Sequence, residues 1–346
     1  MNTKQANRKR GLFFWLKRIL AGLAIFLVVL LSAIFAGGAI ARARIEATYP
    51  STGQLVDVGG YKIHISCLGE GSPTVMVLAG SGVPSVYYWL IQNEAASTTR
   101  VCVYDRAGYA WSEEGHGDLS PLGQVEDLKA LFSNADIEPP YILAGHSYGG
   151  YIARLYAQAY PEEVAGLVMI DSAHEDQWTN YPPSIRKSAE EMYAGPNKPF
   201  NVFLVSLLRS LQAVLPLENP MAKYFPPDVA DTLTAVQKLH PMILYTVKAE
   251  VSDMALGKSP RVTDLNDMPM IVITHGVPIT LMGQSDEANA AFEKVNLEMQ
   301  SNLLSLSSNS KQIFAEHSNH DEIPVKEADL VVQAIRDVLD QAITRR

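Results

Sequence analysis

The chain has 346 residues, 47% of them hydrophobic and 19% charged, with two cysteines and a formal net charge of −9. That balance fits a globular protein with an added apolar segment and excludes a disordered chain or a disulfide-rich scaffold. The charge is uneven: residues 1–44 hold eight bases and no acid, leaving 20 bases against 37 acids beyond them, a net of −17 that excludes nucleic acid as a partner.

Residues 1–18 form a basic tail, and residues 19–40 run for 22 positions without a charge. A helix of that length spans a hydrocarbon core of about 30 Å, so a single transmembrane helix is expected. Six bases precede the run and two follow it, which places the N-terminus in the cytoplasm and the body outside it. A cleaved signal peptide is the competing reading, with Ala39-Ile40-Ala41 as a weak cleavage site; the run is long for that. Residues 41–53 read as a linker.

Residues 54–58 and 61–67 flank Gly59-Gly60, a hairpin signal. Short apolar runs follow at 74–78 (TVMVL), 100–104 (RVCVY), 141–144 (YILA) and 166–170 (GLVMI), separated by stretches with helical spacing. Short apolar strands alternating with helices imply a mostly parallel sheet flanked by helices, an α/β architecture. The alternation stops at Ser172 and resumes at 270–274 (MIVIT) and 311–315, so residues 172–265 read as an inserted helical cap. The core is then 54–171 with 266–346. Within the insertion, residues 201–215 carry one charge, Arg209, in fifteen positions. They are expected to pack as a cap helix, or to present an apolar wall to an acyl chain or lipid.

Gly145-His146-Ser147-Tyr148-Gly149 lies between an apolar strand and a helix stopped by Pro161. Glycines two residues either side of a serine permit a turn tight enough to project its hydroxyl at a helix N-terminus, where developing negative charge is favoured. A serine hydroxyl needs a base. His317 and His320 are the two histidines that follow the last predicted strand, and His320, in a loop ahead of the final helix, is the candidate base. The spacing His317-x-x-His320-Asp321 lacks further clustered ligands, so no metal is expected. No dinucleotide- or phosphate-binding glycine pattern is present, and no organic cofactor is expected either.

With these motifs in this order, the chain resembles the α/β-hydrolase superfamily over roughly residues 54–343. Residues 103–112 (VYDRAGYAWS) resemble its Asp-x-x-Gly-x-Gly-x-Ser loop, with Ala110 for the second glycine, and imply a structural role for Asp105. Leu78-Ala79-Gly80-Ser81-Gly82 resembles the loop that supplies an oxyanion hole, with Ala79 in place of histidine. The resemblance implies Ser81 and Tyr148 backbone N–H groups as oxyanion donors, with Gly82 as the alternative to Ser81. It also places Cys67 and Cys102 on neighbouring strands, where an oxidising compartment would allow a disulfide. The triad acid usually follows the 270–274 strand within a few residues, yet this loop reads HGVPIT; the candidates are Asp171, at the end of the preceding strand, and Asp286.

Dehalogenases and epoxide hydrolases of this fold carry aspartate where Ser147 stands. A serine implies cleavage of an ester-type bond (carboxylic ester, thioester, lactone or amide) in a small or lipid-like substrate. The competing classes are a non-catalytic binding module and a cofactor-free peroxidase or carbon–carbon bond hydrolase on the same fold.

Overall fold

A computed structural model describes residues 3–115, 118–187, 199–239, 254 and 257–345. Parts of the expected cap, residues 188–198, 240–253, 255 and 256, lie outside the described residues. The first element, α1 (Thr3–Thr48), is one continuous helix. Its segment Phe13–Thr48 is long and apolar enough to cross a membrane, with a mean hydropathy of 2.9 in its most apolar window. Helix persists past the apolar run, so residues 41–48, expected as linker, are helical, and the non-helical join begins at Tyr49.

The eight strands are β1 (Gln54–Asp57), β2 (Lys62–Leu68), β3 (Thr74–Leu78), β4 (Val101–Tyr104), β5 (Tyr141–His146), β6 (Val164–Ile170), β7 (Met270–His275) and β8 (Ser310–Ala315). They form one sheet in the order β1-β2-β4-β3-β5-β6-β7-β8. β2 pairs antiparallel with β1 and with β4, and every other pair is parallel. The Gly59-Gly60 turn of the first hairpin is held by the Asp57 carboxylate, which accepts both glycine N–H groups. In the antiparallel β2/β4 register Cys67 stands opposite Cys102, and the two form a disulfide.

Alternation along each strand divides the core in two. Met76, Leu78 and Leu143 face one side with α3 (Pro121–Asn134) and α4 (Tyr148–Ala159). Val75, Val77 and Ile142 face the other with α2 (Trp89–Ala95) and the C-terminal helix α10 (Ala328–Thr344). Both faces of β3 and β5 are buried, as continuous apolar runs require.

Between β6 and β7 the described residues form helices and no strand: α5 (Gln177–Asn180), α6 (Pro199–Val214) and α7 (Pro227–Val236). α6 covers the apolar run expected as a cap helix, and it packs on the C-terminal part of α1. Phe35 meets Phe203 edge to face, and Gly38 lies against the backbone of Ser210. Phe203, Leu204, Leu208 and Val214 remain exposed. After β7 come α8 (Asp286–Leu303), then β8, a short α9 (Ile323–Lys326) and α10.

Candidate active site

Ser147 stands between β5 and α4 with φ 51° and ψ −123°, a left-handed conformation that costs a non-glycine residue roughly 1–3 kcal/mol. The surrounding backbone holds the turn: Ser147 N–H donates to Ile170 O, while its carbonyl accepts from Gly150 and Ala173. A side chain at Gly145 would meet Gly150 Cα at 2.4 Å, and one at Gly149 would meet Leu78 O at 2.2 Å, so the flanking glycines are sterically required.

Of the acid candidates, Asp171 is the one that reaches His320. Its Oδ2 lies 2.6 Å from His320 Nδ1. Asp171 directly follows β6, is buried, and has φ 42°, held there by its N–H donating to Ile273 O. Asp286 is exposed in the first turn of α8, behind the Ser285 N-cap. His317 is exposed as well, its N–H bonded to Glu327.

Burial works to lower the His320 pKa, but the hydrogen bond and charge of Asp171 outweigh it and leave the pKa raised. Burial likewise works to raise Asp171; hydrogen bonds from His275 and His320 win and hold its carboxyl well below the usual range. His275 was not singled out by sequence. Its Nδ1 lies 2.8 Å from both Asp171 oxygens and its Nε2 3.0 Å from Glu293 Oε1.

A second chain of bonds ties three loops together. Gly80 N–H donates to the Tyr88 hydroxyl, which lies 2.8 Å from His146 Nδ1, and His146 Nε2 lies 3.0 Å from His320 O. A carbonyl partner requires Nε2–H, so Nδ1 accepts the tyrosine proton and His146 is neutral. Burial, then the charge of His320, lowers its pKa to about 4. Tyr87 holds the same loop through its hydroxyl, donating to Asp321 O at 2.6 Å. These positioning groups were also missed; a buried tyrosine pair in a short helical turn looks like core packing in sequence.

The loop 78–82 faces the elbow, since a Cβ on Gly80 would sit 3.3 Å from Ser147 Cβ. The buried Arg106 guanidinium clamps it, donating to Ala79 O at 2.5 Å and Gly80 O at 2.9 Å, with the Tyr109 and Tyr148 rings alongside. Gly82 N–H is committed to the Tyr109 hydroxyl. Asp105 is part of the scaffold, accepting from Ser85 N–H at 2.7 Å and pairing with His64.

A family model described as alpha/beta hydrolase fold matches residues 73–232. The chain has the α/β-hydrolase fold. The thermophilic esterase of Thermogutta terrifontis superposes on this chain with a TM-score of 0.58 at 19% identity, covering 84% of this chain and 98% of the esterase. An epoxide hydrolase from Bacillus megaterium gives 0.62 at 18%, covering 83% and 100%. YbdG of Bacillus subtilis, an uncharacterized protein, is 31% identical over 131 residues, 37% of this chain and 40% of its own length. The chain thus spans less than half of that relative. Among the described residues of this chain, no group of three or more His, Cys, Asp or Glu could hold a metal ion.

Proposed function

We propose that the chain is a serine hydrolase that cleaves an ester-type bond through an acyl-enzyme on Ser147. The observation that carries this reading is the 2.6 Å contact of Asp171 with His320, on a histidine whose carbonyl is bonded to the residue before the strained Ser147. In this reading Ser147 Oγ attacks the substrate carbonyl as His320 takes its proton. Asp171 holds the histidine in the required tautomer and stabilises the imidazolium. Collapse of the tetrahedral intermediate returns that proton to the leaving alcohol, thiol or amine. Water, deprotonated by His320, then releases the acid and restores the serine.

The oxyanion is assigned to the N–H groups of Ser81 and Tyr148, with Gly82 as the alternative to Ser81. The 78–82 loop faces the elbow, and Tyr148 opens α4, whose N-terminus favours developing negative charge. Together with the neighbouring esterase fold, a serine at the elbow supports hydrolysis over binding alone. The exposed apolar side chains of α6 favour an apolar or lipid-like ester.

α1 is read as an uncleaved anchor with its N-terminus in the cytoplasm and the body outside. The Cys67–Cys102 disulfide supports that placement, because such bonds persist in oxidising compartments. A fluorophosphonate probe on the full-length chain in detergent tests the chemistry: labelling lost in Ser147→Ala, with turnover of esters graded by acyl length, is the expected result. A chain that neither takes the probe nor turns over any ester sinks the reading.

A further inference from the structure

β7 ends on His275, whose side chain is 1% exposed. Each ring nitrogen faces a carboxylate: Nδ1 lies 2.8 Å from both oxygens of Asp171, and Nε2 lies 3.0 and 3.2 Å from those of Glu293. A neutral imidazole has one N–H and donates on one side only. Two ionised carboxylates on opposite nitrogens therefore select the imidazolium, which donates on both. The His275 backbone N–H adds a further bond to Asp171 Oδ1 at 3.2 Å.

We propose that His275 is a positioning residue, an imidazolium clamped by Glu293 that fixes the Asp171 carboxylate so that Oδ2 is presented to His320. The proposal rests on the reading of Asp171 as the acid that serves His320. Its logic is electrostatic. Glu293, His275, Asp171 and His320 together carry one negative charge while His320 is neutral, and that total falls to zero when His320 accepts the Ser147 proton. Loss of the His275 proton would leave two carboxylates with one N–H between them, and Asp171 would lose its anchoring donor or share it.

Among the described residues, the titratable groups that face this cluster are Asp171 from the end of β6, Glu293 from α8, His320 and Asp321 from the loop after β8, His146 from the end of β5, and Tyr181 after α5. Tyr181 is neutral, its hydroxyl donating to Asn296, and burial with the charge of Asp171 raises its pKa. Burial of His275 opposes its charge; the Asp171 bond and charge, then Glu293, prevail and push its pKa up to about 9.

The test uses the full-length chain in detergent and two conservative variants, Glu293→Gln and His275→Gln. Glu293→Gln is nearly isosteric and should leave the fold intact while removing one charge from beside His275, so the alkaline limb of kcat near pH 9 should move down by about one unit or more. KM should change little. His275→Gln should abolish that limb and lower kcat at every pH. Histidine nitrogen NMR supplies a readout independent of turnover: His275 should be doubly protonated at pH 8 in the wild type. A fluorophosphonate-labelled Ser147 combined with an alkaline limb unmoved by Glu293→Gln, or with a neutral His275 at pH 8, overturns the positioning role alone. A Ser147 that takes no probe overturns the hydrolase reading and the positioning role with it, whatever the state of His275.

Discussion

His320 Nδ1 and Asp171 Oδ2 lie 2.6 Å apart, although Asp171 belongs to the end of β6 and His320 to the loop after β8, two strands away in the sheet. The carboxylate therefore sits on the strand beside the serine's own. Asp171→Asn should lower kcat on the order of 10⁴-fold by losing the orienting charge. Asp286→Asn, at the exposed start of α8, should leave turnover near wild type. Steady-state kinetics on the pair decides it; the opposite ranking would remove Asp171 from the proposed triad.

Ser147→Ala should reduce turnover by on the order of 10⁶-fold, since a triad acts as a unit. Stability should hold or rise slightly, because alanine does not alter the packing of the elbow and the φ 51° strain stays. Wild-type circular dichroism with residual hydrolysis at background level is the expected pair of results.

The acid limb of kcat/KM should report His320. Its pKa is raised above the ordinary value of about 6.5, and the neutral form is the base, so activity falls as pH drops through that raised value. Asp171→Asn removes the main raising cause, and what activity remains should persist to lower pH. A pH–rate profile of both proteins checks the direction. The stability linkage runs the opposite way: the raised His320 and His275 values contribute stability that is present below about pH 6.5 and lost as pH rises through the folded values.

Arg106→Met should both destabilise the chain and slow it. Two charge-assisted bonds to Ala79 O and Gly80 O are lost from a buried site, at roughly 1.5–3 kcal/mol each. Thermal melts should fall accordingly. If the 78–82 loop carries an oxyanion donor, kcat should drop with little change in KM.

Removing the Cys67–Cys102 bond, by Cys67→Ala with Cys102→Ala, should cost about 3–4 kcal/mol. The bond closes a loop with a sequence separation of 35, and the chain-entropy argument sets that scale. Denaturant unfolding in detergent, with and without reductant, measures it.

Much of this was legible in sequence where local chemistry is decisive. The elbow is set by two glycines with no room for a side chain, and the strands by short apolar runs buried on both faces. Asp171 was readable as a choice between two acids, from its place at a strand end. Glu293 was not. It lies on an amphipathic helix among other charged residues, and its contact with His275 exists only after α8 folds back across β7. His275 did carry one signal: it stands where the resembling enzymes lead into their acid. Tyr88 and His146 were hidden for the same reason as Glu293, since their meeting depends on packing across 58 residues of chain.

α1 does not end where its apolar run ends. It stays helical to Thr48, lies along α6, and hands over at Tyr49, whose carbonyl accepts the Trp111 indole N–H at 2.9 Å. With α1 in a bilayer, the body is mounted on a mast and not moored by a rope. Its compass heading over the membrane is then coded in residue count: each residue added to the helix between the span and Thr48 lifts the mast by about 1.5 Å and turns it by about 100°. Two such residues would point Ser147 to nearly the opposite quarter, and tear α6 from its seat to do so.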